Sequence, residues 1–261
     1  GVMFSAVDVF APFSPAEVDR EWRRGVDAVR VEYQTSSLTS LDVTSVVGSS
    51  WEESAMLARF RGYVGDIDGA FIAGKRRRDA MFATAMSAVL GEAAVHGEAA
   101  LFHTPEKWPD SGLFHNKHWV GKLVLGASYT FDVGNGLTLF GEYHYSGFGL
   151  KDVSDIMQRA RSPEYTKRLL RGDSQILGQH ALGVQASYPF NDVLAGGLLF
   201  LESLTDGSGL VSPSLVWTVS GTATFTVHAF LPWGASPRNG TIRSEYGTSG
   251  QSLFAQLSLF F

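Results

Sequence analysis

The sequence predicts an all-β fold: an antiparallel up-and-down β-barrel that crosses a membrane with its strands. Three observations predict it. Apolar and polar residues alternate strictly in segments of about ten residues, as expected where one face of each strand meets lipid and the other a lumen. The connections sort by length, long ones on one side of the barrel and short ones on the other. Charged residues are only 18% of the chain, against roughly 25% in soluble domains, while aromatics reach 12% and glycine contributes 29 residues.

The elements follow in chain order. Strands are expected near 2–10, 26–36, 40–48, 54–64, 67–75, 79–89 and 92–103. In this half Arg30, Glu32 and Gln34 alternate with Val29, Val31 and Tyr33, and Arg59 and Arg61 with Ala58, Phe60 and Gly62. His96 and Glu98 alternate with Val95, Gly97, Ala99 and Leu101. The second half is more regular. Over 119–131, Trp119, Gly121, Leu123, Leu125, Ala127, Tyr129 and Phe131 share one face, with aromatics at both ends. Asn135-Gly136 then signals a tight turn, because both residues tolerate positive φ. Strands near 137–146, 179–188, 193–201, 210–219 and 221–232 continue the pattern, with turns at Pro189-Phe190-Asn191-Asp192 and Ser220-Gly221. With the C-terminal strand the expected count is about fourteen, an even number that leaves both ends on the periplasmic side.

The long connections 11–25, 104–116, 149–172 and 234–250 fall on the opposite side from the short ones. One of them breaks the β pattern. Asp152 to Arg171 reads as one or two short helices, with Ser154 as a cap and Ser162-Pro163 as an interruption. It is expected as a surface helix of an extracellular loop, or as a gate over the mouth.

Composition excludes several functions. Without cysteine there are no disulfides and no thiolate metal sites. A net charge of −5 gives a nucleic-acid partner no electrostatic support. The longest nearly pure apolar run, Val193 to Leu201, is far short of the ~20 residues of a spanning helix. Gly1-Val2-Met3-Phe4 opens in an apolar, strand-like run with no secretory signal, so residues 1–261 are expected to form one barrel domain that lacks N-terminal strands of a larger protein.

The final strand places Leu253, Ala255, Leu257, Leu259 and Phe261 on one face and Ser252, Gln256 and Ser258 on the other. This terminus resembles the C-terminal signature of Gram-negative outer-membrane barrels. The resemblance implies a bacterial outer-membrane location. It also implies that Leu257, Leu259 and Phe261 are the signal read by the barrel-assembly machinery. A second segment, Asp8 to Pro15 followed by Asp19 to Arg30, resembles an interior stretch of large porin-like barrels. It implies a porin-like protein with more strands than are visible here.

The candidate functional residues are the inward charges. Arg30, Glu32, Arg59, Arg61, Asp68, Glu98, Lys122, Glu142 and His144 are expected to line a pore, with Asp42 beside them. Their signs nearly balance, which suits cross-strand ion pairs as well as a selective path. Lys75 and Arg76-Arg77-Arg78 form a basic turn that suits either lipid phosphate or solvent. His115 and His118 form an H-x-x-H in a loop, where spacing fixes little, so no metal and no cofactor are expected. No G-x-S-x-G and no local grouping of Ser, His and acid appears, so the chain is not expected to be an enzyme, with His228 on the outer wall as the position to inspect. The leading expectation is a channel for passive diffusion of small polar solutes or ions. The alternative is a scaffold barrel that holds a partner protein. The partners expected are outer-membrane lipid, the assembly machinery and either a fixed partner or further copies of the chain.

Overall fold

A computed structural model describes residues 2–8, 26–111, 113 and 116–260. Thirteen strands form one antiparallel sheet in chain order: β1 (Ala28–Gln34), β2 (Ser40–Val46), β3 (Ala55–Val64), β4 (Ile67–Arg76), β5 (Asp79–Leu90), β6 (Ala93–His103), β7 (Trp119–Phe131), β8 (Leu137–Ser146), β9 (His180–Asn191), β10 (Leu194–Ser203), β11 (Ser208–Ser220), β12 (Ala223–Trp233) and β13 (Ser252–Leu259). The architecture is the expected up-and-down outer-membrane-type barrel. No ladder joins β1 to β13 among the described residues.

Side chains opposite one another in an antiparallel ladder share a face. One continuous row is Tyr63–Asp68–Ser87–His96–Gly126–Glu142–Gly183–Leu201–Leu210. It belongs to the inner face, where the buried cluster of Met81, Ala83, Phe102, Val120, Val124, Ala181 and Leu201 sits. The other face carries Phe60, Phe71, Phe82, Met86, Leu125, Leu198, Leu215 and Leu231, all exposed. Trp119, Tyr145 and Trp233 mark one rim of this apolar wall, and Tyr129, Phe131, Tyr188 and Trp217 the other. A belt of this extent exceeds what a monomer shows to water, so hydrocarbon bathes it. No helix among the described residues is long and apolar enough to cross a membrane.

The connections sort as expected. Turns 35–39, 65–66, 91–92, 132–136, 192–193 and 221–222 are short and lie at one end, while 104–118, 147–179 and 234–251 lie at the other. In the turn at 132–136, Gly134 (φ 59°) and Gly136 (φ 96°) adopt the left-handed backbone, and Asn135 does not. Asn135 instead donates through Nδ2 to the carbonyls of Pro189 (3.1 Å) and Phe190 (2.8 Å), tying two neighbouring hairpins together. Pro189 and Phe190 therefore extend β9, and the turn there is Asp192–Val193 rather than Pro189–Asp192.

The main departure is at the start. A strand was expected near 2–10. Residues 2–8 form no strand and lie inside the barrel, with Met3, Phe4, Ser5 and Ala6 buried. Residues 9 and 10 lie outside the described set. Among the described residues the strand count is thirteen, with this segment filling the interior instead of joining the wall.

Candidate functional site: the occupied lumen

The inner wall is built from two adjacent ladder rows. In the row given above, His96 on β6 and Glu142 on β8 flank Gly126 on β7. Because Gly126 has no side chain, the imidazole crosses the gap and its Nε2 meets Glu142 Oε1 at 2.7 Å. A Cβ at Gly126 would strike both groups. One row further along, Arg61–Ala70–Ala85–Glu98–Val124–His144–Ala181 brings Glu98 and His144 to the same level.

Residues 2–7 lie over these two carboxylates. Glu142 accepts the backbone N–H of Val2 (2.5 Å), Met3 (2.7 Å) and Phe4 (2.8 Å). Glu98 accepts the N–H of Ala6 (2.8 Å) and Val7 (3.3 Å) and the hydroxyl of Ser5 (2.9 Å), while Gln175 Oε1 accepts Ser5 N–H (2.9 Å). Hydrogen bonds to a carboxylate are about twice as strong as neutral ones. Met3 and Phe4 fill the hollow at Gly183, and the Phe4 ring stacks on His144 with centroids 4.9 Å apart.

At the end with the long connections, the loop 147–179 folds inward. It contains a 3-10 turn at Val153–Asp155 and two short helices, α1 (Ile156–Arg159) and α2 (Pro163–Leu170). Asp152, rather than Ser154, caps the first turn, and Ser162 caps α2 ahead of Pro163. Phe148, Leu150, Val153, Ile156, Tyr165 and Ile176 of this loop are buried. A chain of ion pairs latches it to the wall. Arg168 meets Asp79 (2.7 Å), Glu106 (3.1 Å) and Asp173 (3.2 Å), and Asp173 also takes Arg76 (2.6 Å) and Arg171 (2.9 Å). The Arg168 guanidinium lies over the Trp108 and Phe148 rings. Burial opposes the charge on Asp173. Arg76, Arg171 and Arg168 together outweigh it and bring the carboxyl down to about 2. Burial likewise opposes the charge on Arg168, and its acidic partners hold the guanidinium protonated. At the loop 234–251, burial pushes Glu245 up to about 7 although it accepts the N–H of Leu177 (2.9 Å).

The expected basic turn therefore has a different use. Arg76 points inward to Asp173, Arg78 pairs with Glu106 (2.9 Å), and Lys75 donates to the carbonyl of Trp51.

The expected pore residues divide into two groups. Glu98, Lys122, Glu142 and His144 belong to the part of the inner wall covered by residues 2–8 and the loop. There Lys122 is within electrostatic reach of Asp173, Glu98 and Asp8. Arg30, Glu32, Arg59, Arg61 and Asp68 line the solvated part, along β1 to β4. Arg30 pairs with Asp42 and with Glu32 (3.2 Å), and Arg61 with Asp68 (2.5 Å). Arg59 Nε is buried without a hydrogen bond. A cleft of about 280 Å³ lies between these arginines and Glu98, with Val2 on its wall. Opposite, β11 to β13 present Ser214, Thr226, His228 and Gln256 to the same interior. His228 thus faces inward, not the outer wall.

Of the assembly signal, Leu257 and Leu259 are exposed on the outer face of β13, and Phe261 lies outside the described residues. So do His115 and most of the segment that resembles large porin-like barrels; His118 Nδ1 bonds the Thr104 carbonyl (2.9 Å). Among the described residues no group of three His, Asp or Glu side chains is placed to hold a metal ion. Sequence reasoning missed Gln175, Asp79, Glu106, Arg168 and Asp173; all but Asp79, the first residue of β5, lie outside the alternating pattern that marks a wall residue.

No protein-family profile matches the sequence, and no curated protein matches it. Among solved structures it is similar to in-vitro folded OmpT, an outer membrane protein of Vibrio cholerae. The identity is 10% and the TM-score 0.41, over 89% of this chain and 88% of that one. The apolar belt, aromatic rims and loop asymmetry identify an outer-membrane β-barrel of a Gram-negative bacterium. One expectation is corrected here: that the chain is not an enzyme. One fold hosts many functions, so an outer-membrane barrel does not support that exclusion.

Proposed function

We propose that the protein is a porin-like channel for passive diffusion of small polar solutes or ions. The observation that carries this reading is the contrast between the two sides of the same strands. Along β1 to β4 and β11 to β13 the outer face is apolar and the inner face polar and open to water. The path would run along Arg30, Glu32, Arg59, Arg61 and Asp68 on one side and Ser214, Thr226, His228 and Gln256 on the other. Arg30, Arg59 and Arg61 face Glu32, Asp42 and Asp68, three charges of each sign, so the loss of any one of them tips the ion preference of the path. A path of this kind needs a closed wall. β1 and β13 run in the same direction, so antiparallel closure takes an odd number of further strands between them.

Planar-bilayer recording of the refolded full chain tests the proposal. Discrete ion steps are expected, with a reversal potential that moves toward cation preference in Arg59→Gln. A folded protein that gives no steps sinks it. The scaffold reading is the alternative, favoured by the filling of the β5 to β10 half of the lumen. Silent bilayers together with a partner protein that copurifies in fixed ratio would support it.

A further inference from the structure

We propose that Glu98 and Glu142 form a receptor for the successive main-chain amides of a short bent peptide inside the lumen, and that residues 2–7 of this chain occupy it reversibly. The proposal rests on the barrel fold and goes beyond conduction.

The amides carry the argument. Every backbone N–H from Val2 to Val7 bonds a side-chain oxygen: three reach Glu142, one Gln175 and one Glu98, and that of Val7 is shared between Glu98 and Ser5 Oγ (3.2 Å). No strand edge pairs with the segment. A ladder would have satisfied these donors from the backbone; here the wall does it with two carboxylates. Such a site reads what all peptides share, successive N–H groups, here turned to one side by the bends at Met3, Ala6 and Val7, so its ligand class is a short bent peptide main chain. The floor is shaped for a backbone to come close. Gly126 lets His96 hold the far side of the Glu142 carboxylate, and Gly183 leaves the hollow that Met3 and Phe4 fill.

A second observation supports reversible occupation. His144 is fully buried beneath the Phe4 ring, and neither of its ring nitrogens has a hydrogen-bond partner. Buried polar groups are normally satisfied, and an unsatisfied pair opposes the packed state. When the segment lifts away, water reaches both nitrogens. The occupied receptor thus contains the term that favours its own release.

The test uses the absence of cysteine from the chain. Met3→Cys places one thiol in a position that is 1% exposed and keeps the backbone N–H. Its labelling by a membrane-impermeant maleimide reads how often the segment leaves the site. Labelling is expected to be slow in the Met3→Cys protein. Adding Glu142→Gln or Glu98→Gln should speed it about tenfold, because each removes charge-assisted hydrogen bonds. Phe4→Ala should do the same without touching the wall, which keeps the test valid if a wall variant does not fold. Excess acetyl-Val-Met-Phe-Ser-Ala-Val-amide should also speed labelling by taking the vacated site, and its backbone N-methylated version should not. Fast labelling before any further substitution, or labelling in all three variants no faster than in Met3→Cys alone, overturns the proposal. Equal effects of the two peptides overturn the receptor. None of these readouts involves ion flow, so their failure is distinct from that of the channel.

Discussion

Gly183 and Gly126 shape the interior as much as the charges do. A side chain at Gly183 would meet the Met3 sulfur and the Phe4 ring, since the ladder leaves nothing between them. Gly183→Leu is therefore expected to displace residues 3 and 4 at a cost of about 1–3 kcal/mol of overpacking. Loss of chymotryptic protection at Phe4, with the heat-modified gel mobility of the barrel retained, would show it. An unchanged digestion pattern would contradict the placement. Glu245 offers a test with a defined sign. Burial raises its folded value to about 7 from an ordinary 4.5, so its contribution to docking is full below about 4.5 and is lost as pH rises through about 7. Glu245→Gln stays neutral throughout. At pH 8 the variant should protect the Leu177 amide from hydrogen exchange several-fold better than the parent, and at pH 4 the two should match.

At the scale of elements, the loop 147–179 is bound by charge as well as by apolar area. Arg168 touches three carboxylates, and removing one partner of a buried pair costs about 3–5 kcal/mol because the remaining charges are stranded. Arg168→Met should make the loop sensitive to protease while the strands keep their resistance. A loop that stays resistant would mean that its apolar residues hold it alone. The latch has its own pH window, opposite in sign to that of Glu245. Asp173 falls to about 2 from 3.8, so its contribution is present above about 3.8 and lost as pH falls through about 2. Loop release measured by the same digestion, with an acid protease, should set in between those values. Hairpins behave more simply, since short turns and continuous ladders fix their register.

For the whole molecule the governing fact is that its apolar surface points outward. Phe60, Phe71 and Leu253 are 50%, 55% and 74% exposed, which no water-soluble monomer would tolerate over a full circumference. Removal of detergent should aggregate the protein, and a monodisperse species in plain buffer would refute the membrane reading. The same surface explains how much could be read from the chain. Strand period is two, lipid accepts only one kind of side chain, and so Val29, Val31 and Tyr33 on β1 or Leu253, Leu257 and Leu259 on β13 declare their face directly. The interior carries no such code. Met3 and Phe4 look like wall residues because burial against His144 and Gly183 selects the same apolar types as lipid does. Likewise Arg76 and Asp173 are 97 residues apart, and nothing local in either segment announces their pairing.

The sequence by itself determined the membrane, the antiparallel barrel, the inward and outward faces and the ends at which long and short connections lie. All four follow from a two-residue period imposed by lipid and from local turn chemistry. Only the tertiary structure decided what occupies the lumen. That depends on which inward carboxylate meets which distant amide or guanidinium, and such partners are chosen by ladder register and by the hollows left at glycine, neither of which a single strand contains.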